Sequence, residues 1–282
     1  PIPTALVNDM YYGYVDPYLL SMAYARAAAA LGVEIRERSA VTGVLTAGGR
    51  VAGVETAAER IESESVIDAA GAWASLLSAR VGFPLPMAPV RSHYWITKPD
   101  SANGGDHPAV TMPDAGAYAR YDVGVVLLGI HERHSATFDA RELPDDPAAF
   151  SPTVGEAHWD RLAEAAEAVV RFFPGIAEAQ FANYIAGLST YTPDGNIILG
   201  PVPGVSGFLA ATGCCGSGVV LSAGIGSAIA ELALDRVPRI DLAPFRPDRF
   251  GRVDPFGAAF RERCAAARAN KSRKLLSDVL PC

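Results

Sequence analysis

The chain has 282 residues, half of them apolar and 20% charged, which is enough apolar sequence for a large core and excludes general disorder. Its 24 Lys and Arg against 31 Asp and Glu give a net charge of −7, which argues against nucleic acid or an anionic membrane as a partner. Four cysteines without a CxxC pair favour a reducing compartment, and we expect a cytoplasmic protein. The uncharged run 195–230 is interrupted by glycine and proline, so we expect no membrane span.

The first predicted element is a helix with sequence signals at both ends. Asp16 can cap its N-terminus, and Pro17 suits the first helical position because proline lacks the N–H that a helix leaves unpaired there. The alanine-rich body runs from Tyr18 to Leu31, and Gly32 suits the left-handed exit from a helix.

Short β-prone runs follow this helix, separated by turn signals. The pair Gly48-Gly49 predicts a tight hairpin between two of them. The last run leads through Ala69-Ala70-Gly71 into a predicted helix over 72–80, a strand–turn–helix unit typical of α/β folds. Backbone amides in such a turn can approach a phosphate. The predicted strands are Val33–Arg36, Val41–Leu45, Arg50–Glu55 and Ser65–Asp68.

The middle third of the chain has a different pattern, with short strands between Gly, Asp and Pro turns. A helix is predicted over Glu156–Phe173 and stops at Pro174. This pattern predicts a separate antiparallel α+β unit. Its predicted strands are His93–Thr97, Ala109–Met112, Tyr118–Tyr121, Val125–Ile130 and Gln180–Ala186.

A glycine-rich turn over 213–218 is the most informative local feature. It lies between a predicted strand, Phe208–Ala211, and a predicted helix, Val219–Leu234, and another short strand, Ile197–Leu199, precedes both. Unobstructed N–H groups and the positive end of a helix dipole would suit a phosphate, or a ring that becomes negatively charged. The alternative is an ordinary tight turn. The tail 241–282 shows no motif with known chemistry.

Several short motifs occur in a fixed order along the chain. They are Gly13-Tyr14-Val15-Asp16-Pro17-Tyr18, Leu31-Gly32-Val33-Glu34-Ile35, Val41-Thr42-Gly43-Val44, Asp68-Ala69-Ala70-Gly71-Ala72-Trp73-Ala74, Pro89-Val90-Arg91, Tyr191-Thr192-Pro193-Asp194-Gly195, Ile198-Leu199-Gly200-Pro201 and the turn at 213–218. In this order, over 12–236, they resemble the FAD-dependent oxidoreductases of the D-amino-acid-oxidase superfamily. The similarity is greatest to the branch of glycine oxidase, sarcosine oxidase and dimethylglycine dehydrogenase.

The resemblance implies an α/β fold in which a partial, discontinuous, Rossmann-like FAD-binding domain is joined to an antiparallel α+β substrate domain. It assigns FAD-binding sequence to 1–88 and 188–240, the substrate domain to 89–187 and a C-terminal tail to 241–282. Family members hold the FAD pyrophosphate with a G-x-G-x-x-G turn, and this sequence contains none. We expect that turn to come from a lost N-terminal segment or from a partner chain. Gly224-Ile225-Gly226 lies within a predicted helix, where close packing explains it.

The resemblance also implies cofactor contacts. Val41 corresponds to a backbone contact on the adenine side, and Ala70, Gly71 and Trp73 border the adenosine–phosphate half. Close packing of helix against strand is the alternative for this small-residue turn. The flavin N1/O2 edge, which is negatively charged in reduced flavin, corresponds to Gly213, Cys215, Gly216, Ser217, Gly218 and Val219.

On the substrate side the sequence departs from the family. A lysine and a tyrosine hold a substrate carboxylate in monomeric sarcosine oxidases, and the matching positions here are Val220 and Ser189. The cysteine that links flavin covalently in those enzymes corresponds to Gly187. Alternative anion partners are Arg91, Arg120 and Arg133, for which a surface or structural contact is the competing interpretation. The candidate catalytic residues are Arg91, Arg120 and Ser189.

No metal site is expected. His131 and His134 lie three residues apart without a third ligand at a suitable spacing. Cys214 and Cys215 are adjacent in sequence and are typical of small apolar packing rather than of redox chemistry.

We therefore expect an FAD-dependent oxidoreductase that oxidises a C–N bond of an amine, or of an N-substituted or D-amino acid, by hydride transfer to flavin. Its partner would be a small-molecule substrate. The alternative is a non-catalytic binding or scaffold chain whose FAD-binding half is lost or is supplied by a partner.

Overall fold

The structure, a computed structural model, describes residues 6–8, 15–100 and 108–272 of the chain. Short 3-10 turns connect several of its helices and strands. In chain order the elements are β1 (Leu6–Asn8), α1 (Pro17–Ala30), β2 (Val41–Ala47), β3 (Arg50–Thr56), β4 (Arg60–Glu62), β5 (Val66–Asp68), α2 (Ala74–Ala79), β6 (Ala88–Thr97), β7 (Ala109–Met112), β8 (Ala117–Asp122), β9 (Val125–Ile130), α3 (His158–Val170), β10 (Phe181–Tyr191), β11 (Ile198–Pro201), β12 (Phe208–Thr212), α4 (Gly218–Ala233) and α5 (Ala258–Ala269).

These elements form two units, each assembled from stretches that are distant in sequence. Among the described residues, the first unit contains 6–8, 87–195 and 256–272, and the second contains 15–86 and 196–255. The first unit therefore interrupts the second, and α5 belongs to the first unit although it follows the second in sequence.

The first unit is built on one six-stranded antiparallel sheet with the order β1-β7-β8-β9-β6-β10. Side chains of a strand alternate between the two faces of a sheet, so only one face of β6 can point into a given core. Trp95 of β6 is fully buried on that face, where Leu162 and Val169 of α3 pack in the same cluster. The α3 helix thus covers one face of this sheet.

The second unit contains two three-stranded sheets, β2-β3-β4 and β11-β12-β5. In the latter, β12 pairs with β11 in antiparallel and with β5 in parallel orientation. Leu209 of β12 and Ile229 of α4 are buried in one cluster, which fixes α4 against this sheet. The α1 helix lies beside α4, with Tyr24 Oη 3.4 Å from Ser222 Oγ, and contains no buried residue.

The predicted local signals of the N-terminal region are confirmed. Leu19 N–H donates to Asp16 Oδ1 at 2.8 Å, so the aspartate caps α1, and Gly32 ends it with φ +90°. Gly48 and Gly49 connect β2 and β3 with φ values of +57° and +79°. Two consecutive positive φ values are the geometry that favours glycine in a tight hairpin.

Other predictions need correction. Val33–Arg36 is not a strand: Val33 and Ile35 stay exposed, and no strand of the described residues pairs with the segment. Arg36 instead pairs with Glu34 and Glu59. Strand β6 is five residues longer than predicted and β10 is four residues longer, because the two strands pair with one another from Thr97 to Ala88. The tail contains α5, a helix that the sequence analysis did not predict.

Candidate functional site

Two turns lie at one edge of the β11-β12-β5 sheet. Strands β5 and β12 are parallel, with Asp68 beside Ala210, so their carboxyl ends reach the same edge. One turn follows β5 at 69–71 and the other follows β12 at 213–217. Ligands of open α/β sheets bind outside the carboxyl ends of the strands. The two predicted cofactor turns are therefore brought to one edge of one sheet.

The turn after β12 has a backbone that only small side chains and tight packing permit. Gly213, Cys215 and Gly216 have φ values of +61°, +50° and +70°. Cys215 is buried, and its Sγ contacts the Gly213 carbonyl oxygen at 3.1 Å. A Cβ on Gly213 would lie 3.1 Å from Ile198 Cγ1, so the first position of the turn has no room for a side chain.

Helix α4 begins directly after this turn. Its N-cap residue, Ser217, makes no side-chain capping hydrogen bond, although the first four N–H groups of a helix have no partner within the helix. Val219 and Val220, in the first turn of α4, are exposed. The N–H groups and the helix dipole together form a positive edge that suits an anion or the negatively charged edge of a ring.

The turn after β5 is organised by a buried carboxyl group. Asp68 Oδ1 accepts a hydrogen bond from Ala70 N–H at 3.0 Å, whereas Oδ2 is buried without a hydrogen-bond partner. Burial raises the pKa of Asp68 to about 7, against the lowering effect of the Ala70 hydrogen bond. Gly71 then takes φ +55° and Trp73 completes a 3-10 turn. Val41 lies in the other sheet of this unit, exposed at the start of β2.

In the first unit, the candidate substrate residues lie on different faces of the six-stranded sheet. Arg91 shares a face with Trp95, the side that α3 covers. The β6–β10 register puts Ser92 opposite Gly187, so Ser189 lies on the other face, with Ser92. One small molecule on this sheet therefore cannot contact both Arg91 and Ser189.

The Arg91 side chain is part of a buried ion pair. Its guanidinium donates to Glu132 Oε1 at 2.5 Å, and both side chains are almost completely buried. His93 lies nearby, with Nδ1 3.1 Å from the Tyr184 hydroxyl oxygen. Burial, followed by the charges of Arg268 and Arg91, lowers the pKa of His93 to about 3, so this imidazole is neutral.

The other candidates lie away from that pair. Arg120 is half-buried on β8, and its guanidinium lies 3.7 Å from the Asp122 carboxylate. It points away from the covered face, because its neighbour Ala119 belongs to the Trp95 core. Arg133 is exposed.

The sequence of the chain is similar to those of known proteins. The family model DAO, described as FAD dependent oxidoreductase, matches residues 2–232. The chain belongs to the DAO family. Mitochondrial dimethylglycine dehydrogenase of Rattus norvegicus is 28% identical over 248 residues, which cover 85% of this chain and 28% of that protein. The 4-methylaminobutanoate oxidase (formaldehyde-forming) of Paenarthrobacter nicotinovorans is 29% identical over 240 residues, covering 84% and 28%.

The solved structure of L-proline dehydrogenase from P. horikoshii shares this DAO-family fold. It aligns with a TM-score of 0.70 at 24% identity, covering 84% of this chain and 60% of that one. The predicted family resemblance and the predicted mixed fold class are thus confirmed, and FAD is the cofactor of the family. The chain spans less than a third of the length of the two relatives named above.

The residues at the sheet edge fit one end of the DAO-family cofactor. A flavin ring gains negative charge when it is reduced, and the start of α4 supplies N–H groups and a dipole of the matching sign. A Cβ on Gly218 would lie 3.3 Å from Cys214 Cβ, tighter than an ordinary contact, which shows how closely the helix start packs on the turn. No second Gly-rich turn for the pyrophosphate occurs in this sequence.

Sequence analysis missed several residues of the six-stranded sheet. Glu132 was not singled out, yet it is the carboxylate that pairs with Arg91. Arg268 of α5 is buried against β6, where its Nε donates to Ser92 Oγ at 3.2 Å. No signal in the sequence links these positions, because Glu132 lies 41 residues from Arg91 and Arg268 lies 176 residues from Ser92, and each pair meets only in the folded chain.

The described part of this DAO-family chain contains neither a candidate membrane span nor a candidate metal cluster. No helix among residues 15–100 and 108–272 is both long and apolar enough to cross a membrane. Within the same ranges, no group of three or more His, Cys, Asp or Glu side chains is arranged to hold a metal ion.

Proposed function

We propose that this chain, with FAD bound, oxidises a C–N bond of an amine that also bears a carboxylate. The observation that carries the proposal is the strand–turn–helix at 208–233, in which a left-handed turn leads into α4 without a side-chain cap. Bound FAD would supply the redox chemistry by accepting a hydride at the flavin. The chain itself binds, orients and stabilises charge.

The start of α4 would hold the N1/O2 edge of the flavin. The N–H groups of Gly218, Val219 and Val220 in its first turn have no acceptor within the helix, whereas Ser217 N–H donates to the Cys214 carbonyl oxygen at 2.8 Å. Favourable interaction of an anionic group with a helix N-terminus amounts to about 0.5–2 kcal/mol. Such a contact favours the reduced ring over the oxidised one, because only the reduced ring carries the negative charge.

The substrate class follows from the relatives. Dimethylglycine and 4-methylaminobutanoate, named in the two relatives above, each combine an N-methylated amine with a carboxylate. One carbon separates the two groups in the first molecule and three in the second. We therefore propose an N-substituted amino acid as the substrate, without assigning the spacing.

A βα segment with a G-x-G-x-x-G turn would complete the second unit. Helix α1 buries none of its residues, and Val220 of α4 is 80% exposed. Strand β5 is an edge strand among the described residues, with Ile67 43% exposed. An edge strand that pairs in parallel, in a unit whose helices α1 and α4 expose apolar side chains, is suited to receive another strand and helix. We propose that this segment comes from the same polypeptide or from a partner chain.

The test begins with the 282-residue chain purified without added cofactor. We expect almost no flavin absorbance near ~450 nm, where protein-bound flavins absorb. Supplying the G-x-G-x-x-G segment, fused or as a separate chain, should restore stoichiometric flavin. Anaerobic addition of dimethylglycine should then bleach that absorbance.

Two results would contradict the proposal. Stoichiometric flavin in the chain alone would show that the turn at 213–217 and its neighbours hold FAD without the added segment. A flavin-loaded protein that no amine or amino acid reduces would favour the alternative, a binding subunit without catalysis.

A further inference from the structure

Helix α5 joins the first unit through one face. Phe260, Cys264 and Arg268 are spaced by four residues and are all buried, so they form one stripe along the helix. This stripe packs against β6 and β10. The family match ends at residue 232, so α5 lies outside it. A polar residue in this stripe therefore has to be explained from the structure alone.

Arg268 fills a break in the sheet. Strands β6 and β9 pair only as far as Tyr94 and Gly129, and the chain beyond Ile130 loops away before Ala136 returns to pair with Arg91. In this gap the Arg268 guanidinium donates to the carbonyl oxygen of Ile130 at 3.2 Å. It also donates to the hydroxyl oxygens of two serines, Ser135 at 3.1 Å and Ser92 at 3.2 Å.

Arg268 makes no ion pair with the described residues, and Glu132, whose charge acts on it from beyond ion-pair distance, already pairs with Arg91. Two arginines of the described residues are buried, Arg91 and Arg268. Arg91 pairs with Glu132, whereas no carboxylate within the described ranges lies within ion-pair distance of Arg268. A buried charge is costly unless it is paired. Such a cation favours an anion placed close to it.

Ser92 lies on the face of the sheet opposite to α3, where it is half-buried beside Arg268 of α5. Its Oγ accepts from Arg268, and this is the only hydrogen bond of the Ser92 side chain among the described residues. The Ser92 O–H is therefore available as a donor, polarised by the charge behind it. Gly187 lies directly opposite on β10, and a Cβ added there would meet nothing within 4 Å. Open space thus adjoins the hydroxyl.

We propose that Ser92, backed by Arg268, binds the carboxylate of the substrate in the open space beside Gly187. In this arrangement Ser92 contacts the anion and Arg268 is a positioning residue that acts through it. Ser189, the next residue on the same face of β10, offers a second hydroxyl. The inference rests on the proposed function, since it names the group that would recognise its substrate.

The test uses the FAD-loaded protein and acetate, a carboxylate without an amine. Acetate binding is measured by isothermal titration calorimetry, so neither turnover nor a flavin signal is needed. We expect Ser92→Ala to raise the acetate Kd about tenfold, which corresponds to one hydrogen bond to a charged group. Gly187→Ala should raise it similarly by filling the space. Gly175→Ala, another open glycine of the first unit, is the matched control and should leave the Kd unchanged.

Kinetics separate binding from a general loss of structure. For dimethylglycine, Ser92→Ala should raise KM about tenfold with little change in kcat, whereas Ser92→Thr should restore the wild-type KM. Arg268→Lys, which keeps the charge but not the planar fork, should raise the acetate Kd at full flavin content. If Arg268→Lys does not fold, the Ser92 variants decide.

An unchanged acetate Kd in Ser92→Ala would overturn the inference while leaving the proposed function intact. An acetate site that depends on Ser92, in a protein whose flavin no amine reduces, would instead count against the proposed function and support the anion site.

Discussion

The two units differ in how completely they bury their own surfaces. The first unit has a continuous core around Trp95 and encloses charged groups, the Arg91–Glu132 pair and Arg268. The second unit has an alanine-rich helix, α1, without one buried residue, and exposed valines at the start of α4. The contrast shows that the first unit encloses its own apolar core, while the second leaves apolar side chains of its helices exposed.

The largest effect is expected when the buried Arg91–Glu132 ion pair of the first unit is broken. Glu132→Ala leaves Arg91 buried without its carboxylate, which should lower the unfolding free energy of that unit by about 3–5 kcal/mol. Denaturation followed by Trp95 fluorescence, in a protein with the other tryptophans replaced, measures it. Glu164→Ala removes an exposed partner of Arg161 and should change stability by less than about 1 kcal/mol. Equal effects of the two variants would refute the distinction between buried and exposed pairs here.

In the second unit, we expect the free energy of unfolding to depend on pH through Asp68. Asp68 titrates near 3.8 when unfolded and near 7 when folded, so the folded state binds this proton more tightly. Its contribution to stability is complete below about pH 4 and is lost as pH rises through 7, up to about 4 kcal/mol in all. Asp68→Asn should flatten this slope and be the more stable form at pH 8. Unfolding monitored at Trp73 from pH 4 to 8 tests the sign, and a parallel slope in the variant would contradict it.

The flavin-side turn is tested by Gly218→Val in the FAD-loaded protein. A Cβ there would lie 3.3 Å from Cys214 Cβ, so a β-branched side chain should shift the turn and its N–H groups. Loss of one such donor lowers the rate of flavin reduction about a hundredfold, or about 3 kcal/mol. Gly224→Ala, in open space on the same helix, is the control. A destabilised protein with normal flavin potential and reduction rate would leave the turn with a folding role only.

The smallest effect concerns α1. Because this helix buries nothing, its cap makes up a large part of its stability, and Asp16→Ala should cost about 1 kcal/mol. Hydrogen exchange should accelerate across α1 and remain unchanged in the first unit. Adding the G-x-G-x-x-G segment should restore slow exchange, and equal exchange with and without it would show that the segment does not cover α1.

Local signals predicted much of this fold. Asp16, Gly32 and the Gly48-Gly49 pair act through neighbours within a few residues, so their chemistry can be seen in the sequence. The order of motifs predicted the family, which local chemistry could not. The assignment of individual residues to cofactor contacts or to substrate contacts stays a prediction.

What the sequence could not predict depends on distant contacts. Val33–Arg36 has the composition of a strand, but no partner strand pairs with it. The charge state of Asp68 follows from burial that only the folded sheet creates. In the sequence, Arg268 looks like a surface arginine of a charged helix. Its burial follows only from the packing of α5 on β6.

The open side of β5 has a consequence for handling the isolated chain. Its unpaired N–H and C=O groups form a template for intermolecular strand pairing, and edge strands of this kind promote aggregation unless they are short, charged or covered. At three residues, β5 is short, yet Ile67 at its centre is 43% exposed. Co-production with the segment that covers this edge should therefore determine the yield of monodisperse protein, independently of any catalysis.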